Sequence, residues 1–294
     1  MIERILVPTD GSPESDRAIP IAEEIAKANG ALVLLVQVTQ YPVLLDGADG
    51  FASPDAYEAL LDAVRSSTRS NLERLSDQLL AAGVRVAPFQ IEGSSAAGSL
   101  LDFETKQLPE LVVMSSHGRT GLARFALGSV ADRIVREGTV PVLVVQAPTE
   151  RSRFASALIM LDGSGVAEQA LPIVEALAGR PLQDVTLFRA VADPDDRTAA
   201  ATYLRGVMTR LVLTGMSINT QVDLGDPTVL IERAAHHVDF IILCTHGRGG
   251  INRFRHGSVA ERVVREATKP VLLVRAGMPV ARGPTVHTAA AATR

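Results

Sequence analysis

Apolar positions along the chain fall into two kinds of run. Residues 5–7, 31–38, 84–91, 111–114 and 142–145 are short and almost wholly apolar. They read as strands, and unbroken apolar strands are expected where helices cover both faces of a parallel sheet. Between them, apolar residues return every three or four positions. Over 15–28, Ala18, Ile21, Ala22, Ile25 and Ala26 share one helical face, and Gly30 supplies a stop. The same logic predicts helices over 56–82, closed by Gly83, over 96–108 and over 129–137. Residues 41–55 hold Pro, Gly and Asp and read as a loop.

The order then repeats. Strands are predicted at 157–161, 185–190, 218–224, 240–243 and 271–274, with helices at 167–177, 200–214 and 228–236 and one after a second glycine loop. Strands alternating with helices imply an α/β fold of doubly wound, mainly parallel sheets with right-handed crossovers. Pairing residues 117–145 with 246–274 gives 19 identities in 29 positions, where chance would give roughly two. The chain is therefore a duplication. Two tandem units are expected, 1–147 and 154–276, joined by a short linker at 147–153. Residues 277–294, rich in Ala, Gly, Pro and Thr, read as a disordered tail. The second unit is the shorter, mostly where the first has its 41–55 loop and a longer second helix.

The repeated segment carries the candidate chemistry. In the first copy, His117-Gly118-Arg119 follows a strand, Gly121 lies just beyond, and Gly128-Ser129 opens a helix; the second copy has His246-Gly247-Arg248 and Gly257-Ser258. Glycine lets the backbone approach a ligand closely. A helix start offers free N–H groups and the positive end of the macrodipole, which suits an anion. The bland reading is capping: Ser-Val-Ala-Glu at 258–261 matches a capping box and Ser-Val-Ala-Asp at 129–132 comes close. Two copies, each after an apolar strand, favour phosphate binding. Asp10 and Asp162 each follow a strand and precede Gly-Ser. Such an Asp can accept hydrogen bonds from a nucleoside or simply shape a turn, and the residues leave both open.

Other groups read as structural. His117 and His246 lack a second His or Cys at metal-ligand spacing. His236-His237 fits a solvated helix end, and Cys244 a small apolar residue. Arg133, Arg136, Arg262 and Arg265 fit charge pairs along helix faces. There is no G-x-x-x-x-G-K-[ST] loop and no complete G-x-G-x-x-G. No catalytic residue and no metal site is assigned.

Composition narrows the classes. Net charge is −4 and Trp is absent, which argues against nucleic-acid partners. No apolar run reaches the ~20 residues that span a bilayer, so no membrane partner is expected. One cysteine and an N-terminus that enters a strand at once, without a signal-peptide layout, point to the cytoplasm.

These residues resemble the universal stress protein family in its tandem form, over nearly the whole chain. The matching parts are Ile5-Leu-Val-Pro-Thr-Asp-Gly-Ser, Val112-Val-Met-Ser-Ser-His-Gly, Gly128-Ser129 and Pro141-Val-Leu-Val-Val, with counterparts from Leu158, Ile241, Gly257 and Pro270. ATP-binding members carry G-2x-G-9x-G-(S/T). Gly118 plus nine residues leads to Gly128-Ser129, and Gly247 plus nine to Gly257-Ser258. The pattern's first glycine is Ser115 in one half and Cys244 in the other, and Met160-Leu161 replaces Pro8-Thr9.

The resemblance implies five-stranded sheets ordered 3-2-1-4-5, paired through their last strands about a pseudo-two-fold axis. It implies ATP as ligand, with Mg²⁺ carried on the phosphates. Asp10 and the backbone near Val38 would face adenine and ribose. Gly118, Arg119, Gly128, Ser129 and Val130 would face the phosphates, and Pro8, Thr9, Met114, His117 and Gly121 complete that site. In the second half the roles would fall to Asp162, Ala190, Gly247, Arg248, Gly257, Ser258 and Val259. The implied function is an adenine nucleotide-binding stress-response regulator, homodimeric, with unidentified protein partners and at most slow hydrolysis. Two alternatives stand beside it: a scaffold with degenerate sites that bind no nucleotide, and an ATP-using enzyme with Asp10 or Asp162 as base or metal ligand. If the sites differ, the first half's is expected to be the fuller.

Overall fold

All ten predicted strands form, in the predicted order. The structure, a computed structural model, describes residues 2–40, 54–116, 127–146, 154–179, 181–211, 216–245 and 258–278. The first half runs β1 (Arg4–Thr9), α1 (Ile19–Asn29), β2 (Leu32–Gln40), α2 (Pro54–Ala81), β3 (Arg85–Gly93), α3 (Ala96–Gln107), β4 (Leu111–Ser115), α4 (Ser129–Glu137) and β5 (Val142–Val145). The second runs β6 (Ser156–Met160), α5 (Leu171–Leu177), β7 (Asp184–Val191), α6 (Arg197–Arg210), β8 (Ser217–Leu224), α7 (Pro227–Ala235), β9 (Phe240–Thr245), α8 (Ser258–Glu266) and β10 (Val271–Arg275). No helix among the described residues is long and apolar enough to cross a membrane.

Where the elements differ from expectation, the cause is local. The helices expected over 15–28 and 167–177 each begin as a 3₁₀ turn, Ser15–Ala18 and Ala167–Ala170. The α-helix starts only at Ile19 and Leu171, directly before Pro20 and Pro172. Proline has no N–H to give and its ring crowds the carbonyl four residues back, so it fits only in a first turn. Residues 54 and 55, expected in a loop, open α2, and α6 begins three residues early behind a 3₁₀ turn at Pro194–Asp196. The remaining expected loop (41–53), the linker, residues 212–214 and the tail beyond 278 lie outside the described residues.

The strands make one sheet, ordered β3-β2-β1-β4-β5-β10-β9-β6-β7-β8. Each half is thus 3-2-1-4-5 internally, and the two expected five-stranded sheets are continuous. Neighbours within a half run parallel, whereas β5 and β10 pair antiparallel, with Val142, Leu143 and Val144 opposite Leu273, Leu272 and Val271. Successive side chains on a strand point to opposite faces. Ile5, Val33, Leu35, Leu143 and Leu272 enter one apolar layer under α1, α2, α5 and α6. Leu6, Leu34, Val36, Val144 and Leu273 enter the other, under α3, α4, α7 and α8. Both layers run through both halves, so the halves share one core.

The second half is anchored where it begins. The Phe154 ring is buried and stacks on Phe240, with centroids 3.6 Å apart and planes 8° from parallel. Its backbone N–H donates to Glu24 Oε1 of α1 at 2.9 Å. Phe154→Ala is expected to destabilise the chain by about 3–5 kcal/mol, read as a lowered urea midpoint. A midpoint within error of wild type would show that this stack does not hold the start of the second half in its core.

Candidate functional site

The sheet order reverses beside β1, which pairs with β2 on one side and β4 on the other. The connections after β1 and β4 leave toward opposite faces, and this opens a cleft beyond the carboxyl ends of the strands. The turn after β1 is built by Asp10, whose Oδ1 accepts from the Ser12 N–H at 3.0 Å and the Ser12 hydroxyl at 2.6 Å. Gly11 sits at φ 80°, which favours glycine. Asp162 does the same in the second copy, accepting from the Ser164 N–H at 2.8 Å, with Gly163 at φ 91°. Both aspartates therefore shape turns. Their surroundings differ, because Asp10 is half-buried and Asp162 exposed.

A cavity of about 950 Å³ occupies the first-half cleft. Pro8 and Thr9 at the end of β1, Asp10 just after it, Val38 on β2, Met114 on β4, and Gly128, Ser129 and Val130 at the start of α4 all line it. These come from four separate stretches of sequence, and the sheet order brings them together. His117, Gly118, Arg119 and Gly121 lie outside the described residues, as do His246, Gly247, Arg248 and Gly257. Sequence reasoning missed the far wall: Leu60, Val64, Ser67 and Thr68 of α2, Ser95 before α3, and Arg133 of α4. The one available signal was the Leu60–Val64 spacing, which marks a helix face without saying what it covers.

The helix start is open. Gly128 is the N-cap of α4 and no side chain caps it, so the first-turn N–H groups have no side-chain acceptor there. The capping-box reading of 129–132 does not describe what forms: Ser129 is the first helical residue, and Asp132 pairs with Arg136 at 2.7 Å. Glu261 likewise pairs with Arg265 at 3.5 Å. Arg133 bonds Glu137 at 3.2 Å and Arg262 bonds Glu266 at 3.2 Å, as expected of helix-face charge pairs. The Arg133 Nη1 also reaches the Ser95 hydroxyl at 3.4 Å, at the cavity wall. At the end of β4, the buried Ser115 hydroxyl has no hydrogen-bond partner among the described residues. It stands where the family pattern has glycine.

A polar relay braces the first cleft. The Arg74 Nη2 donates to Asp16 at 2.6 Å and to Asn71 Oδ1 at 2.7 Å, and Asn71 Nδ2 donates to Gln37 Oε1 at 2.8 Å. The Thr39 hydroxyl donates to Thr68 at 3.3 Å and accepts from Gln90. Thr9 Oγ1 lies 2.9 Å from Ser15 Oγ and accepts the Gly11 N–H at 3.0 Å. Gln37, Thr39 and Thr68 are all buried, so these bonds settle the polar floor.

The second half keeps the backbone plan with different side chains. Gln37 lies opposite Thr9 and Gln90, and the same place on β7 is Arg189, opposite Val222. The buried Leu72, Leu75 and Leu79 of α2 recur with the same spacing as Leu204, Val207 and Leu211 of α6, which sets Tyr203 in place of Asn71. Arg189 lies over the Tyr203 ring, 5.2 Å from its centroid. Burial, with Glu168 and Asp162 nearby, pushes the Tyr203 hydroxyl up to about 12. Ala190 and Val259 hold the places of Val38 and Val130, both half-buried. Exposed His236 and His237 close α7, as expected.

A tandem, doubly wound α/β chain with a ligand-sized cleft at the strand-order reversal belongs to the class of open-sheet proteins whose ligand sites lie at that crevice. The comparisons then specify the family. Residues 1–146 and 154–275 each match the universal stress protein family, and the chain belongs to it. It is 25% identical over 288 residues to a universal stress protein of Mycolicibacterium smegmatis, covering 92% of this chain and 96% of that one. It is 30% identical to one from Methanocaldococcus jannaschii, over 50% of this chain and 84% of that one. The crystal structure of a universal stress protein from Archaeoglobus fulgidus superposes with a TM-score of 0.70 at 20% identity, covering 92% of this chain and 98% of that one. The chain is thus a stress-related protein of tandem form.

Cys244, at the end of β9, is the sole thiol. Burial first, and then the nearby Asp162 carboxylate, push it from 9.0 up to about 11. Thiolate is the reactive form, so at pH 8 the reaction with a disulfide reagent is expected to run roughly 100-fold slower than for a free thiol. A rate equal to that of free cysteine would contradict this placement.

Proposed function

We propose that the chain is an adenine nucleotide-binding stress-response regulator, with ATP held in the first-half cleft. The supporting observation is the cavity of about 950 Å³ that joins the Asp10 turn to the uncapped start of α4. Its volume falls in the range of small-molecule sites, about 300–1,000 Å³. The phosphates would lie at the α4 N-terminus, where free N–H groups and the helix dipole favour an anion. Ser129 and Arg133 line that end. Val38, Val64 and Leu100 line the cavity as apolar faces for a base. The partnerless Ser115 hydroxyl would gain an acceptor or donor from the ligand, which its burial otherwise denies it.

Mg²⁺, where present, would be carried on the phosphates, since no group of three or more His, Cys, Asp or Glu among the described residues is arranged to hold a metal. Hydrolysis would be slow at most. Asp10 is the one carboxylate among the described lining residues, and it is held in its turn by Ser12.

Gly128→Asp separates binding from folding. Asp is a favoured N-cap and should keep or raise helix stability, yet its carboxylate would sit on the N–H groups meant for phosphate. Calorimetry with Mg·ATP is expected to show saturable binding to the wild type and at least a tenfold loss in the variant. Unchanged affinity, or no binding by wild type, would refute the reading.

A further inference from the structure

The two halves share a motif and a strand order, but their clefts carry different side chains at three places. The first place is the floor. Where β2 offers the neutral Gln37 amide, β7 offers the Arg189 guanidinium, and it lies across the turn after β6. A Cβ built on Gly163 would fall 2.8 Å from Arg189 Nη1. The guanidinium is held there by the Tyr203 ring beneath it. Tyr203 in turn stands beside Glu168, whose own partner is Arg210 at 3.0 Å.

The second place is the outer wall. In the first half Leu60, Ala63 and Val64 of α2 close the cavity. The matching positions twelve, nine and eight residues before Leu204 are Ala192, Asp195 and Asp196, and all three precede α6. Because α6 begins only at Arg197, the helical turns that carry the first half's apolar wall have no helical counterpart among the described residues of the second. The third place is the polar floor itself. Thr9, Thr39, Thr68 and Gln90 become Leu161, Val191, Ala200 and Val222, so these three hydroxyls and this amide have no counterparts.

We propose that Arg189 is a built-in occupant of the second cleft, so that each chain takes one nucleotide, in the first half. The inference rests on the nucleotide reading above. Gln37 lines the first cavity, and in the second half its place is taken by a guanidinium seated over the Gly163 turn. Arg189 would act as a selectivity residue between two copies of one motif.

Native mass spectrometry of the full chain with Mg·ATP counts the bound copies, and photolabelling with an azido-ATP analogue locates them. One nucleotide per wild-type chain is expected, with labelled peptides confined to residues 2–146 and the copy lost in Gly128→Asp. In Arg189→Ser a second copy is expected at higher ATP, with new label in residues 154–275. Two copies on the wild type would overturn the inference while leaving the nucleotide reading intact. So would a single copy that survives Gly128→Asp, or Arg189→Ser that still takes one copy at saturating ATP. No bound copy on any variant would remove the nucleotide reading, and this inference with it.

Discussion

The antiparallel pairing of β5 with β10 is the contact on which the rest depends. Both are short apolar strands, Val142–Val145 buried throughout and Val271–Arg275 buried at its first four positions. Either one alone at a sheet edge would present unpaired N–H and C=O groups beside apolar side chains, which is a template for aggregation. Paired, each satisfies the other, and the two apolar layers become continuous through the molecule. The outer edges need no such cover. β3 and β8 carry no fully buried position, and Arg85 and Ser217 are exposed. The antiparallel sense also sets the clefts. Strands within each half are parallel, so the carboxyl ends of the two halves point in opposite directions and the two clefts open at opposite edges of the sheet.

Duplication copied the backbone plan more faithfully than the side chains. Both Asp-Gly-Ser turns form with the serine N–H donating to the aspartate and the glycine at positive φ. Both helices after the glycine loop begin at the serine. Around these shared parts, the first cleft is floored by hydroxyls and amides fixed to one another. The second is floored by an arginine on an aromatic ring. Repetition of a motif therefore carries the positions of N–H groups and turns, while the ligand also meets walls that the motif does not encode.

Much of the fold was legible because its causes are local. Apolar runs, glycine stops and prolines in first turns decide where strands and helices fall, and each acts within a few residues. Pro20 and Pro172 even account for the two helices that start late. The site was legible in part. Asp10, Gly128 and Ser129 sit beside strand ends and glycines that mark them, and the strand order gathers them. The alternative reading of Ser129 as a helix cap does not hold, since Gly128 takes the cap with its backbone alone.

By itself the sequence determined the duplication, the alternation of strands and helices, and the two turns and helix starts that could hold a phosphate. These follow from spacing along one chain. The tertiary structure alone decided that the halves share a single sheet, that Leu60, Ser67 and Arg133 face the same cavity as Asp10, and that Arg189 lies over Gly163. Those relations join residues from 26 (Gly163 to Arg189) to 131 (Val142 to Leu273) positions apart, through strand register and helix packing. A side chain's direction and neighbours are set by what packs against it, and no periodicity along the chain contains that.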